Sequence, residues 1–226
     1  MTAFFSYPKA ASFGRILPKS KIYEHANASA KLKQLFVDQV DQIIWQFKLA
    51  PETINLSATK AVPEIQIFHI KLRSRELDNE VLRAIDKAVA FPIVFELIFN
   101  GKQKAVAAYK RPSEADKGKW VVSEYFETEW ETEDKSRKPM PSSLNLAALY
   151  DSVLGSLIPA SPNQDEPIAK RVERLEEVRA KEREISRIEG RLAREKQFNK
   201  RIAINAELRE AKKALKHLGG VSEPQE

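Results

Sequence analysis

The 226-residue sequence contains no cysteine, which removes disulfides, thiolate metal sites and thiol redox chemistry together and fits a reducing compartment. Glycine is scarce, at seven residues, and none stands in the spacing of a phosphate-cradling loop. Histidine is scarcer: His25, His69 and His217 lie far apart in sequence, so a zinc site would have to come mostly from carboxylates. No serine sits in a nucleophile-elbow context. No apolar run approaches the roughly 18 residues a membrane helix needs, and Met1 to Phe13 lacks the charged-then-apolar layout of a signal peptide. These absences lead to the expectation of a cytoplasmic protein with no membrane contact, no cofactor, no metal ligands and no catalytic residues.

Charge is present but unevenly placed. Residues 168–226 hold 16 Lys and Arg against 11 Asp and Glu, which leaves 22 against 21 for residues 1–167, so nearly all of the net +6 belongs to the C-terminal stretch. A basic tail on a near-neutral body argues for an anionic partner bound along the tail, nucleic acid being the commonest; the plainer reading is a solvated, arginine-rich helix.

From Ala28 to Phe47, Leu32, Leu35, Phe36, Val40, Ile43, Ile44 and Phe47 recur at helical spacing, which predicts an amphipathic helix capped by Asn27 or Ser29 and ended by Pro51. Val62 to Leu72 reads as a strand apolar on both faces, and Asp78 to Val89 as a helix capped by Asp78 or Asn79. Ile93–Phe99 and Lys104–Lys110, joined by Asn100-Gly101, predict a β-hairpin, with a further strand over Lys119–Trp130. The charged run Glu131–Ser143 reads as a loop, and Leu144–Leu157 as a short helix. The expected domains are an α/β body (1–158), a linker marked by Pro159, Pro162 and Pro167 (159–167), a long basic coiled-coil helix (168–218) and a disordered tail (219–226). The fold class is α+β, a mainly antiparallel sheet with flanking helices followed by a long C-terminal helix or helical hairpin.

In the tail, Val178, Ile185, Ile188 and Leu192 form one apolar seam, and Phe198, Ile202, Leu208, Leu215 and Leu218 a second, out of phase with the first. Such a shift fits a stutter in one coiled coil or a turn between two antiparallel helices, with Gly190 or Asn199 as the bend in the second case. A bare seam needs a cover, which points to a protein partner or a homodimer through this helix. Opposite the first seam stand Arg179, Arg183, Arg187, Arg191 and Arg194, followed by Lys196. Guanidinium groups roughly 6 Å apart along a helix suit the phosphates of a nucleic-acid strand, although Glu176, Glu182, Glu184, Glu189 and Glu195 lie within reach to neutralise part of the row. For a Mg-dependent nuclease of restriction-endonuclease type, Glu64, Glu96 and Lys110 supply candidate groups on strands. The second hairpin strand nevertheless has Ala107-Ala108-Tyr109 where a Glu-x-Lys pair would stand, and the plain reading of Glu96 is a carboxylate at a strand edge.

The run Ile44-Trp45-Gln46-Phe47-Lys48-Leu49-Ala50-Pro51-Glu52-Thr53-Ile54-Asn55-Leu56 belongs to a set of ordered blocks with Pro18-Lys19-Ser20, Ala107-Ala108-Tyr109-Lys110 and Glu195-Lys196-Gln197-Phe198-Asn199. Together these blocks resemble the bacterial domain-of-unknown-function family 4391, over about Leu17 to Leu218. The resemblance implies no activity. It implies an association with helicases, DNA methyltransferases and restriction-type subunits encoded nearby, and it marks Lys48, Thr53, Asn55, Lys110, Lys196, Gln197 and Asn199 as polar positions to follow. Capping or core-edge hydrogen bonding is their alternative role. The reading that gathers these features is a non-catalytic accessory subunit of a DNA restriction or phage-defence complex, whose partner is a helicase or DNA methyltransferase subunit and whose basic face is offered to DNA. The alternatives are a Mg-dependent or catalytically dead nuclease, and a structural dimerisation protein without nucleic acid.

Overall fold

The computed structural model describes residues 3–116, 118–159 and 166–218. Strand β1 (Phe5–Ser6) and a 3-10 turn at Lys9–Ala11 lead into β2 (Ser12–Ile16), after which Pro18 precedes α1 (Lys19–Ala26). Asn27 closes α1 in the left-handed conformation, φ 51°, so it ends one helix and does not start the next. Ser29 is the N-cap of α2 (Ala30–Gln39), its hydroxyl accepting from Leu32 N at 3.2 Å. Ser29→Ala is expected to cost about 1 kcal/mol, seen as a lower urea midpoint with an unchanged slope.

The helix expected over 28–47 is only half formed. The chain leaves α2 at Gln39 and passes directly into β3 (Val40–Leu49). Val40, Ile43, Ile44, Trp45 and Phe47 are β-branched or aromatic and favour extended backbone, and β3 gains antiparallel partners on both sides, β2 and β4 (Ile65–Leu72). Register shifts at Val40/Gln42 and Trp45/Phe47 break strict alternation, which is why the apolar spacing mimics a helix. Pro51, expected to end a helix, instead sits at the first turn of α3 (Pro51–Ile54), where its missing N–H costs nothing.

Between β4 and β5 (Ile93–Phe99) runs α4 (Asn79–Ala88), with Asp78 accepting from Glu80 N at 2.8 Å as its cap. A connection of this length lets β4 and β5 pair in parallel, whereas every other pair in their sheet is antiparallel. Asn100 (φ 48°) and Gly101 (φ 71°) supply the two consecutive positive φ angles of a tight hairpin turn into β6 (Lys102–Pro112). With β7 (Trp120–Glu127) the order is β2-β3-β4-β5-β6-β7. The run expected as a loop contains two short strands: β8 (Glu131–Thr132) pairs antiparallel with the start of β6, and β9 (Lys138–Pro139) pairs with β1.

One sheet face carries Ile43, Phe68, Ile70, Phe95 and Val106 against Ile22, Phe36, Val81, Leu82 and Ile85 of α1, α2 and α4, all buried. Alternation turns Val94, Glu96, Ala105 and Ala107 to the other face. There α5 (Leu146–Gly155), capped by Asn145, buries Leu146, Leu149, Tyr150, Val153 and Leu154. Tyr150 ties it to β6, its hydroxyl donating to Ala108 O at 2.7 Å and accepting from Lys110 N at 3.0 Å.

Met1–Pro159 forms one unit and Ala160–Glu226 the second. The second holds α6 (Ile168–Arg194) and α7 (Phe198–Leu218), with the break at residues 195–197 and not at Gly190, inside α6, or at Asn199, inside α7. Glu195 sets the break: its backbone turns extended and its carboxylate accepts from Gln197 N at 2.8 Å. The helices are antiparallel, since Glu189 meets Lys212 and Arg191 meets Glu207. Ile185, Ile188 and Leu192 pack against Ile204, Leu208, Ala211 and Leu215. Ile185, Ile188 and Leu192 of the first seam and Leu208 and Leu215 of the second are therefore covered within the chain, whereas Phe198 and Ile202 of the second stay exposed. Most of the proline-marked linker and the tail 219–226 lie outside the described residues. No described helix is long and apolar enough to cross a membrane.

Candidate functional site

The two-helix unit sets out its charge by simple helical geometry. With the seam turned inward, Arg183, Arg187, Arg191 and Arg194 are exposed on α6, while Arg179 is half-buried. Lys196, Gln197 and Asn199 are exposed at the elbow. Several nearby carboxylates are engaged elsewhere: Glu184 pairs with Lys181 at 2.6 Å, Glu189 with Lys212 at 2.8 Å, and Glu195 with the Gln197 backbone. That backbone hydrogen bond, foremost, holds the Glu195 carboxyl below its ordinary pKa. Arg191 makes a two-pronged pair across the hairpin to Glu207, at 3.0 and 3.1 Å. An exposed pair of this kind is worth little in water and can be exchanged for a phosphate. Beside it a notch of about 450 Å³ is lined by Arg191, Arg194 and Lys200, with Glu195, Ala203 and Ile204.

The polar residues of the 44–56 block have mostly local duties. Thr53 accepts from Ala50 N at 2.9 Å and donates to Lys48 O at 2.6 Å, closing the turn into α3, and Asn55 ends that helix at a left-handed φ of 54°. Lys48 reaches further. Its ammonium lies 2.7 Å from Glu52 and 3.3 Å from the buried Glu64, which also accepts from Gln66 at 2.5 Å. The hydrogen bond to Glu52 is the main reason the Lys48 pKa is raised.

Lys110 lies inside the body on the α4 face of β6. Its Nζ donates to Asp86 O at 2.6 Å and to Val89 O, so it takes up carbonyls that the end of α4 leaves without helical donors. The Asp86 carboxylate lies 3.4 Å from the same Nζ and accepts from the Tyr125 hydroxyl. Burial pushes the Asp86 pKa up and the Lys110 pKa down, against their mutual attraction. Lys19 serves α2 in the same way, donating to Phe36 O at 2.9 Å and to Val40 O. Sequence spacing alone does not mark Lys19 for that role.

Glu96 is not at a strand edge: β5 lies between β4 and β6, and the side chain is 2% exposed. Arg137 grips it with two hydrogen bonds, 2.9 and 2.7 Å, and also contacts Gln103 Oε1 and Phe5 O at 3.3 Å. His69 Nε2 lies 2.8 Å from Glu96 Oε2, a contact that is ionic only when the imidazole is protonated. Burial pulls the Glu96 carboxyl upward, but His69 and Arg137 outweigh it and the pKa falls below the ordinary glutamate value. The same burial, with Glu96 adding to it, holds the Tyr7 hydroxyl protonated well beyond its usual range. Arg137 is hard to single out from sequence because it stands in a charged run that looks solvated. The usable signal is Glu96 itself, a carboxylate amid Ile93-Val94-Phe95 and Leu97-Ile98-Phe99 that demands a cation.

Glu64, Glu96 and Lys110 are thus not brought together. Glu64 pairs with Lys48 and Gln66, Glu96 with Arg137 on one sheet face, and Lys110 with Asp86 on the other. Among the described residues no group of three or more His, Asp or Glu is placed to hold a metal ion. Comparison with curated proteins and with solved structures gives no match. The family model described as "Domain of unknown function (DUF4391)" matches residues 5–215.

Proposed function

The chain belongs to the DUF4391 family, and from that premise we propose that it is a non-catalytic accessory component of a DNA restriction or phage-defence assembly, engaging nucleic acid through the arginine face of its two-helix unit. The observation that carries this reading is the exposure of Arg183, Arg187, Arg191 and Arg194 along α6 while the apolar seam faces α7. A row repeating roughly every 6 Å tracks a phosphodiester backbone without reading bases. The restriction and defence setting, and a helicase or methyltransferase partner, are carried by the family resemblance alone. A protein partner or a second copy would have Phe198 and Ile202 to cover, the seam residues left exposed at the start of α7.

Binding to duplex DNA is expected to weaken steeply with salt. Changing Arg183, Arg187, Arg191 and Arg194 to Gln is expected to flatten the plot of log affinity against log salt by about 3–4 units, roughly 0.9 for each phosphate that is no longer neutralised. Fluorescence anisotropy from about 50 to 200 mM salt measures this. Affinity undetectable at low salt, or unchanged in the fourfold variant, removes the nucleic-acid role.

A further inference from the structure

We infer that the cleft at the carboxyl end of α4 is a binding site for a nucleoside phosphate, with the ring beside Trp120 and the phosphate on Arg83 and Lys87. The cleft measures about 600 Å³, within the range of small-molecule sites, and its lining includes Arg83, Asp86, Lys87, Val89, Trp120 and Val122. Its charges do not cancel. The one carboxylate among these six, Asp86, is already engaged by Lys110 and the Tyr125 hydroxyl, and so is turned to internal use. Arg83 lies over the Tyr125 ring, 4.7 Å from its centre, and donates to Val122 O at 3.1 Å. These contacts fix the guanidinium in place; it helps to offset the charge of Asp86 without coming within ion-pair distance of it. Lys87 follows four residues later on the same side of α4, exposed and likewise without an ion pair among the described residues. A third lining cation, Lys119, differs in being paired with Asp116 at 2.5 Å.

A dianionic phosphate suits a fixed guanidinium and a mobile ammonium placed side by side. The half-exposed Trp120 and the apolar Val89 and Val122 supply the surface a planar base requires. Neither feature depends on the arginine row of the two-helix unit, so this inference stands apart from the function proposed above.

The test is calorimetric titration of the full chain with adenosine 5′-monophosphate, adenosine and orthophosphate separately. Saturable binding of the monophosphate is expected, about tenfold or more tighter than either fragment. Lys87→Gln, at an exposed position, should weaken it about tenfold, and Arg83→Gln at least as much, whereas Lys60→Gln, at an exposed position outside both sites, should leave it unchanged. Competition by a 5′-phosphorylated single strand identifies a strand end as the source of the ligand; failure to compete identifies the free nucleotide. The inference is overturned by no saturable binding at millimolar monophosphate, by binding no tighter than orthophosphate, or by binding that Lys87→Gln and Arg83→Gln leave intact.

Discussion

Lys110→Met is expected to lower the stability of the body by about 3–5 kcal/mol, the usual result of removing one member of a buried ion pair. Lys110 is 2% exposed, and methionine keeps most of its apolar stem, so little of the loss would come from an empty cavity. What disappears is the donor to Asp86 O and Val89 O and the counter-charge to the Asp86 carboxylate. The Tyr125 hydroxyl and the more distant Arg83 remain, but neither replaces the ammonium that Asp86 loses. In a unit of this size each kcal/mol moves the melting temperature by about 2–4 °C, so a fall of roughly 10 °C is expected by near-ultraviolet circular dichroism. Adding Asp86→Asn should return part of the loss, because the stranded charge goes with it. A single variant that melts with the parent protein would show that the lysine is not the clamp on α4.

Arg137→Leu is expected to be of similar size, about 3–5 kcal/mol near neutral pH, and to invert the pH dependence. In the parent chain Glu96 has a depressed pKa, so its contribution is present above the unfolded-state carboxylate pKa and is lost as pH falls through the lower folded value. Burial is already the largest single influence on Glu96, and removing Arg137 takes away two of the four that offset it, which favours the protonated acid. The variant should therefore lose stability as pH rises above the unfolded-state value and regain it on acidification from about pH 7 towards 5, as a proton settles on Glu96. Urea unfolding at the two ends of that range resolves the sign. Parallel pH profiles for variant and parent would rule out Arg137 as the group that keeps Glu96 ionised. Glu96→Gln combined with Arg137→Leu should remove the inversion.

Elements whose local signals agreed were legible from sequence. The Asn100-Gly101 hairpin, the strand ending at Leu72 and the helix capped by Asp78 each had turn, cap and apolar pattern pointing one way, and each formed. The 28–47 segment had a helical period but strand-forming residues in its second half, and pairing with β2 and β4 decided the outcome. The tail offered two seams without saying whether they met. Only the break at Glu195 and the cross-hairpin pairs settle that they do. Lys110 stood out by its block but not by its role, since its partners Asp86 and Val89 lie 24 and 21 residues away at the end of α4. Arg137 and Glu96 are 41 residues apart, and nothing local connects them.

The two units also differ in how far apart in the chain their contacts lie. In α6 and α7 each helix forms from neighbouring residues, and the elbow at residues 195–197 brings the two together across a short closure. Most of the body must wait for β2 to find β3, for β4 to find β5 across α4, and for Arg137 to reach Glu96. Local contacts form on microsecond scales and distant strand pairings in milliseconds or longer, so after dilution from denaturant the far-ultraviolet helical signal should develop a fast phase ahead of the slower burial of Trp45. During that interval the arginine-bearing hairpin already exists while the sheet is still assembling.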